Sequence, residues 1–205
     1  DLVSKGFDFK NVIASTYIDF TVGDDFFKCD DKYMSALYIR DYPSRLKDTF
    51  LTDAFANNIR MISSMDVVPI DREDAEKRIK DLYMNVQKII RKQNKKRIKS
   101  KDFSSEISYS VQMEQDEVKE LMEDVRNGNE HLFWTNVIFL IIADSEQQLK
   151  EHTEMLLQYT KNRGVTVEYL YNMQREAFNT VLPIGVRQVS TGWAMETKSM
   201  RVLYP

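Results

Sequence analysis

The sequence predicts an α+β fold. Three observations carry that expectation. Segments rich in β-branched and aromatic residues alternate with helical ones, and a nearly unbroken apolar run spans Leu132–Ala143. Between positions 71 and 127, two long charged segments carry narrow apolar stripes at helical spacing. The 205 residues suffice for one large domain or two small ones, since a domain usually takes ~100–200 residues. With 42% hydrophobic residues, 6 Gly and 4 Pro, the chain is neither collagenous nor generally disordered. Its core needs no metal or disulfide staple.

Each element follows from local chemistry. Residues 11–22 mix Val12, Ile13, Tyr17, Ile18, Phe20 and Val22, Gly23-Asp24-Asp25 supplies a turn, and 26–29 returns, which predicts an N-terminal β-hairpin. Asp30-Asp31-Lys32 turns again into a strand over 33–42. Pro43 stops that strand and can open a helix, on which Leu46, Phe50 and Ala54 share a face. A β-rich run over 59–70 ends at Pro69. Asp71 is placed as a helix N-cap, with Glu73 and Asp74 at the positive end of the dipole.

Beyond it, Ala75, Ile79, Leu82, Val86 and Ile89 form one stripe, and Val111, Val118, Leu121 and Val125 form another. A connector near Phe103-Ser104-Ser105 separates them, so the two helices are expected to fold into an antiparallel hairpin. Basic residues crowd the first arm and acidic ones the second, which suits that pairing. The run Leu132–Ala143 predicts a strand covered on both faces. Ser145 with Gln148 forms a capping box for the next helix, whose inner face holds Leu149, Leu156 and Tyr159. Gly164 suits its left-handed cap. A strand over 165–171, a helix over 174–182 and an irregular stretch with one or two short strands over 186–205 complete the chain.

The core order is strand, helix, strand, helical insertion, strand, helix, strand. That is a ferredoxin-like split βαβ sandwich, with its first and third strands central. The expected organisation is a single unit over 1–205: a core of 11–70 and 128–185, a helical-hairpin insertion at 71–127, and a C-terminal segment at 186–205.

Catalytic signatures are mostly missing from the sequence. There is no G-x-x-x-x-G-K-[ST] and no G-x-G-x-x-G. His131 and His152 have no partner at a recognised zinc spacing and are read as a strand-border and a helix-surface residue. Ser44-Arg45-Leu46-Lys47 fits S-x-x-K, but S-D-N and K-T-G are absent, so an exposed first turn explains it better. Cys29, the single cysteine, excludes an intramolecular disulfide framework and fits a reducing compartment. Asp30 and Asp31 beside it oppose thiolate formation, so it is read as structural. Asp24-Asp25 and Asp30-Asp31 match no calcium loop and are read as turn residues. Phe133, Trp134 and Phe139 lack an accompanying RNA-recognition pattern and are assigned to the sheet core.

The strongest electrostatic feature is the basic run 88–101 in a chain of net charge -3. It is either a solvated arm balanced by its acidic partner or a contact for phosphates or anionic lipid. The longest apolar run is too short to cross a bilayer alone. No charged-then-apolar leader precedes it, and both ends look cut from something longer. Residues alone point to a non-catalytic interaction domain with no cofactor and no metal site.

Several local patterns follow one another in order: Asp41-Tyr42-Pro43, Val67-Val68-Pro69-Ile70-Asp71-Arg72-Glu73 and Phe103-Ser104-Ser105-Glu106-Ile107-Ser108-Tyr109. Asn179-Thr180-Val181-Leu182-Pro183-Ile184-Gly185 and Thr197-Lys198-Ser199 come later. The series resembles the N-terminal region of the large conjugation ATPases of type IV secretion systems, the VirB-four class, especially those on conjugative elements of Gram-positive bacteria. In the last motif, relatives often carry an acidic residue where Lys198 stands.

The resemblance implies a non-catalytic domain that docks the motor onto inner-membrane components of the conjugation channel and aids assembly. It would lie at the inner face of the cell membrane. ATP and Mg would belong to the parent's ATPase domain, beyond position 205, and the parent would form a hexamer. The expected partner contacts are at the distal end of the hairpin: Lys95, Lys96, Arg97, Lys99, Lys101 and Phe103. The alternative is a nucleic-acid-binding module using the basic arm 88–101.

Overall fold

The strand Lys32–Asp41 (β3) organises the sheet. The computed structural model describes residues 17–43, 49–56, 58–100 and 108–203. Two short strands, Ile18–Asp19 (β1) and Phe27–Cys29 (β2), precede β3 as the expected hairpin, with Ile18 opposite Cys29. Met61–Pro69 (β4), Leu132–Ala143 (β5), Thr166–Tyr169 (β6) and Trp193–Glu196 (β7) follow. The sheet runs β1-β2-β3-β5-β4, β6 pairs with β3, and β7 pairs with β5.

Among the four core strands the order is therefore β4-β5-β3-β6, with β3 and β5 central, as the ferredoxin-like reading requires. β3 pairs antiparallel to β5, with Tyr33 opposite Ala143 and Tyr38 opposite Ile138. Its other edge is shared. β2 takes 32–34 and β6 takes 37–41, with a register shift between Ile39 and Asp41.

Six helices are described: Phe50–Phe55 (α1), Arg72–Ser100 (α2), Tyr109–Asn127 (α3), Glu146–Lys161 (α4), Gln174–Val181 (α5) and Thr197–Leu203 (α6). The chain forms two compact units. One comprises Asp1–Val67, Thr135–Trp193 and Lys198–Pro205, the other Val68–Trp134 and Ala194–Thr197.

In the first unit the sheet is covered on both faces. Even-numbered β3 residues Met34, Ala36 and Tyr38 join Ile138 and Leu140 of β5, and with them pack Ala177 and Val181 of α5 and Phe27 of β2. Phe27 meets Phe178 edge-on at 5.3 Å. Odd-numbered Leu37 and Ile39 share the opposite face with Val137, Phe139 and Ile141, all essentially fully buried. There α4 packs on β3 and β6, and α1 packs on α4. Burial on both faces is why β5 reads as an unbroken apolar run. Each such Phe, Leu or Ile contributes roughly 1.5–3 kcal/mol through burial. Cys29 lies in the first of these two cores, as a structural thiol would.

The capping chemistry matches in one case with a small difference. Ser145 accepts from the Gln148 N–H at 3.2 Å, but the Gln148 amide reaches back to the Asp144 N–H, one residue earlier than a regular capping box. Gly164 ends α4 at φ +74, where a side chain is disfavoured. The stretch 186–205 is less irregular than expected, since α6 follows β7 directly.

Candidate interaction surface

The second unit holds the helical hairpin. Ala75 and Ile79 of α2, Val125 of α3 and Leu132 of β5 form its buried seam, with Ile70, Val118, Leu121 and Met122 packed against it. At the base of the hairpin the Arg72 guanidinium donates to the Arg126 carbonyl at 2.6 Å. The Arg78 guanidinium lies 4.9 Å from the centre of the Trp134 ring. α3 closes on Gly128 at φ +77, with the Asn129 N–H returning to the Asp124 carbonyl at 2.9 Å. These are the bonds of a left-handed helix terminus.

The α2 stripe differs from expectation. Ala75, Ile79 and Val86 are buried, but Leu82 is 50% exposed and Ile89 41% exposed. Successive residues turn by about 100°, so Leu82 and Ile89 fall on the flank of the stripe rather than its centre. The charges also differ in detail. The ion pairs Arg72–Glu76, Lys77–Asp74 and Lys119–Asp116 each lie within one helix. They lace each arm to itself, and exposed pairs of this kind add little to stability.

Lys88, Lys92 and Lys95 recur at four- and three-residue spacing, all exposed, on the side of α2 turned away from Ile79 and Val86. Lys96 is exposed beside them, and Ile98 is 65% exposed. Arg97 and Lys99 belong to α2, but their side chains lie outside the described residues, as do Lys101 and Phe103 altogether. The structure therefore brings Lys95 and Lys96 to one exposed helical end and is silent on the other four. Sequence reasoning passed over Lys88 and Lys92 as individual contacts; their spacing from Lys95 was the available signal.

Counting forward from Arg72 and back from Arg126 at equal rise per residue, Tyr109 comes level with Ile89. The last three turns or so of α2 thus run past the start of α3. Cations there also suit the negative end of the helix dipole.

The remaining candidates do not converge. Asp30 sits at φ +52 in a turn, and Asp31 is held by Lys32 at 2.9 Å. Phe139 is fully buried, and His131 accepts through its backbone from the Thr197 N–H. The Nδ1 atom of His152 is buried, with no hydrogen-bond partner among the described residues. Ser44 and Lys47 lie outside the described residues. No group of three His, Cys, Asp or Glu able to hold a metal occurs among the described residues, and no described helix is long and apolar enough to cross a membrane.

A cleft of about 260 Å³ in the first unit is lined by Thr21, Asp24, Asn172, Arg175 and Glu176, among others. Its Gln174 is committed to backbone groups, and Arg175 lies 5.3 Å from the centre of the Phe20 ring. No protein-family model matches the chain, and no curated protein matches it either.

Proposed function

We propose that this chain is the non-catalytic N-terminal docking domain of a type IV secretion ATPase of the VirB-four class. In this reading the sheet unit is the rigid body. The hairpin grips inner-membrane components of the conjugation channel at the inner face of the membrane. ATP and Mg serve the parent's motor domain, which assembles as a hexamer. The ordered series of motifs from Asp41-Tyr42-Pro43 to Thr197-Lys198-Ser199 supports the family assignment. The observation that carries the docking role is the exposed stripe Lys88, Lys92 and Lys95, which starts beside the first turn of α3 and continues onto the part of α2 that runs past it. An exposed helical stripe with one charge sign suits an acidic protein surface or anionic headgroups.

The test is charge reversal in the parent ATPase, Lys88→Glu, Lys92→Glu and Lys95→Glu together. The expected result is loss of co-fractionation with the channel's membrane components and a fall in conjugative transfer, with the ATP hydrolysis rate retained. Unchanged recruitment would remove the hairpin end as the docking element. A second reading, nucleic-acid binding by the same stripe, rests on the same exposed lysines. It predicts DNA affinity falling steeply with salt and lost in the same triple variant.

A further inference from the structure

The strand β4 closes one side of the sheet, and among the described residues no strand pairs with its outer edge. We infer that this edge pairs with the same edge of a second copy of the chain, through a two-fold antiparallel contact centred on Ser63. The inference concerns self-association and stands independently of the docking role.

Backbone direction can be read from two hydrogen bonds. The Ile142 N–H donates to the Arg60 carbonyl at 2.9 Å, and the Ile70 N–H donates to the Leu132 carbonyl at 2.9 Å. Both fit the same antiparallel register of β4 on β5. In an antiparallel strand, alternate residues point both backbone groups to the same side. Residues 62, 64 and 66 therefore face β5 as Arg60 does. Met61, Ser63, Met65 and Val67 turn their N–H and C=O groups outward.

Among the described residues that leaves a row of donors and acceptors on a nine-residue strand with no strand to meet them. The devices that usually blunt such an edge are few. Within 61–67 there is no proline and no lysine, and the one charged residue is Asp66. Proline enters only at Pro69. Ile62 is 47% exposed, so the edge is also apolar in part.

The side chains favour a copy of the same strand over an unrelated one. A contact about a two-fold axis presents each residue to its mirror position. Centred on Ser63, it places Met61 opposite Met65 of the second copy, with both residues on the outward-bonding positions. It also places Arg60 opposite Asp66 of the second copy, twice by symmetry. Neither Arg60 nor Asp66 forms an ion pair among the described residues; Arg60 exerts only a weaker pull on the Asp144 carboxyl, behind that of Lys32. A centre at Ser64 would set Arg60 against Val68 and Asp66 against Ile62. One at Met65 would separate the two charges altogether. Opposite charges directly across an antiparallel pair stabilise it, and like charges there oppose it.

Sedimentation equilibrium of the 205-residue chain tests this. The expected result is a reversible dimer. Asp66→Arg alone and Arg60→Asp alone should each weaken it by about tenfold or more, through two like-charge contacts. The double variant Arg60→Asp with Asp66→Arg should restore it, which a folding defect would not do. A second measurement uses Ile62→Cys with Ser64→Cys, positions that face each other across the proposed axis. Mild oxidation should then give a covalent dimer, while the buried Cys29 leaves the parent chain monomeric on a non-reducing gel. A monomer at every concentration up to the solubility limit would overturn the proposal. So would a dimer indifferent to both charge reversals, or failure of the paired cysteines to cross-link.

Discussion

Gln174 holds Ala36 by both backbone groups. Its Oε1 accepts from the Ala36 N–H at 2.8 Å, and its Nε2 donates to the Ala36 carbonyl at 3.1 Å. Nε2 also donates to the Leu170 carbonyl at 3.0 Å, and the Leu170 N–H reaches the Ala36 carbonyl at 3.1 Å. Ala36 lies where the edge of β3 passes from its pairing with β2, which reaches Met34, to its pairing with β6, which reaches back to Leu37. The side-chain amide thus stands in for the missing strand at that gap. An unpaired backbone group buried there would cost the first core stability.

Replacing Gln174 should expose that dependence. Gln174→Ala leaves the buried Ala36 N–H without its acceptor, a loss of about 1–3 kcal/mol. It should appear as a lower urea midpoint with an unchanged slope. Gln174→Glu should be worse at neutral pH, because an ionised carboxylate would face two carbonyls and has no proton to donate. Burial raises that carboxyl above its unfolded value of about 4.3. The variant should therefore lose stability as pH rises through that region, and recover part of it near pH 4. Equal stability of the two variants at both pH values would mean that the amide contacts contribute little.

Lys32 gives a pH dependence of the opposite kind. Its ammonium lies 2.8 Å from Asp144 and 2.9 Å from Asp31. The hydrogen bond from Lys32 holds both carboxyls below their usual range, and the bonds to Asp144 and then Asp31 hold Lys32 above its own. The carboxylate contribution is complete above the unfolded value of about 3.9 and fades as pH falls through the depressed folded values. The lysine contribution is complete below about 10.4 and fades as pH rises through the raised folded value. The stability difference between the parent chain and Asp144→Asn should be flat between about pH 5 and 9 and shrink on both sides. Added salt should shrink it too, since the groups are at the surface. A difference that persists at pH 2 would show that the carboxylate charge is not involved.

The fold was legible where one local pattern admitted one structure. Leu132–Ala143 carries apolar residues on both pleat faces, so only a doubly covered strand accommodates it. Ser145 and Gly164 bracket α4 by caps that act within a few residues. Other features depend on residues distant in sequence. Nothing near Gln174 announces Ala36, and the sharing of one β3 edge by β2 and β6 follows from where those strands end. The helix α6 escaped notice because its seven residues, Thr197–Leu203, are too few to show a period. At the hairpin, spacing identified the stripe but not its centre. Whether Leu82 packs depends on the angle at which α3 crosses, which the sequence of α2 does not contain.

That last point yields a direct comparison. Ile79 and Leu82 sit one turn apart on the same predicted stripe, yet Ile79 is fully buried and Leu82 half exposed. Ile79→Ala removes side-chain volume from the seam shared with Val125 and Leu132, and should cost about 2–5 kcal/mol. Leu82→Ala removes atoms already about half in water and should cost less, below about 1 kcal/mol. The removed Leu82 surface belongs to the flank, so the basic stripe on Lys88, Lys92 and Lys95 should keep its geometry in that variant. Chemical denaturation of the two single variants measures the contrast. Equal losses would mean that α3 packs over Leu82 as well, and that the hairpin seam is wider than its buried residues indicate.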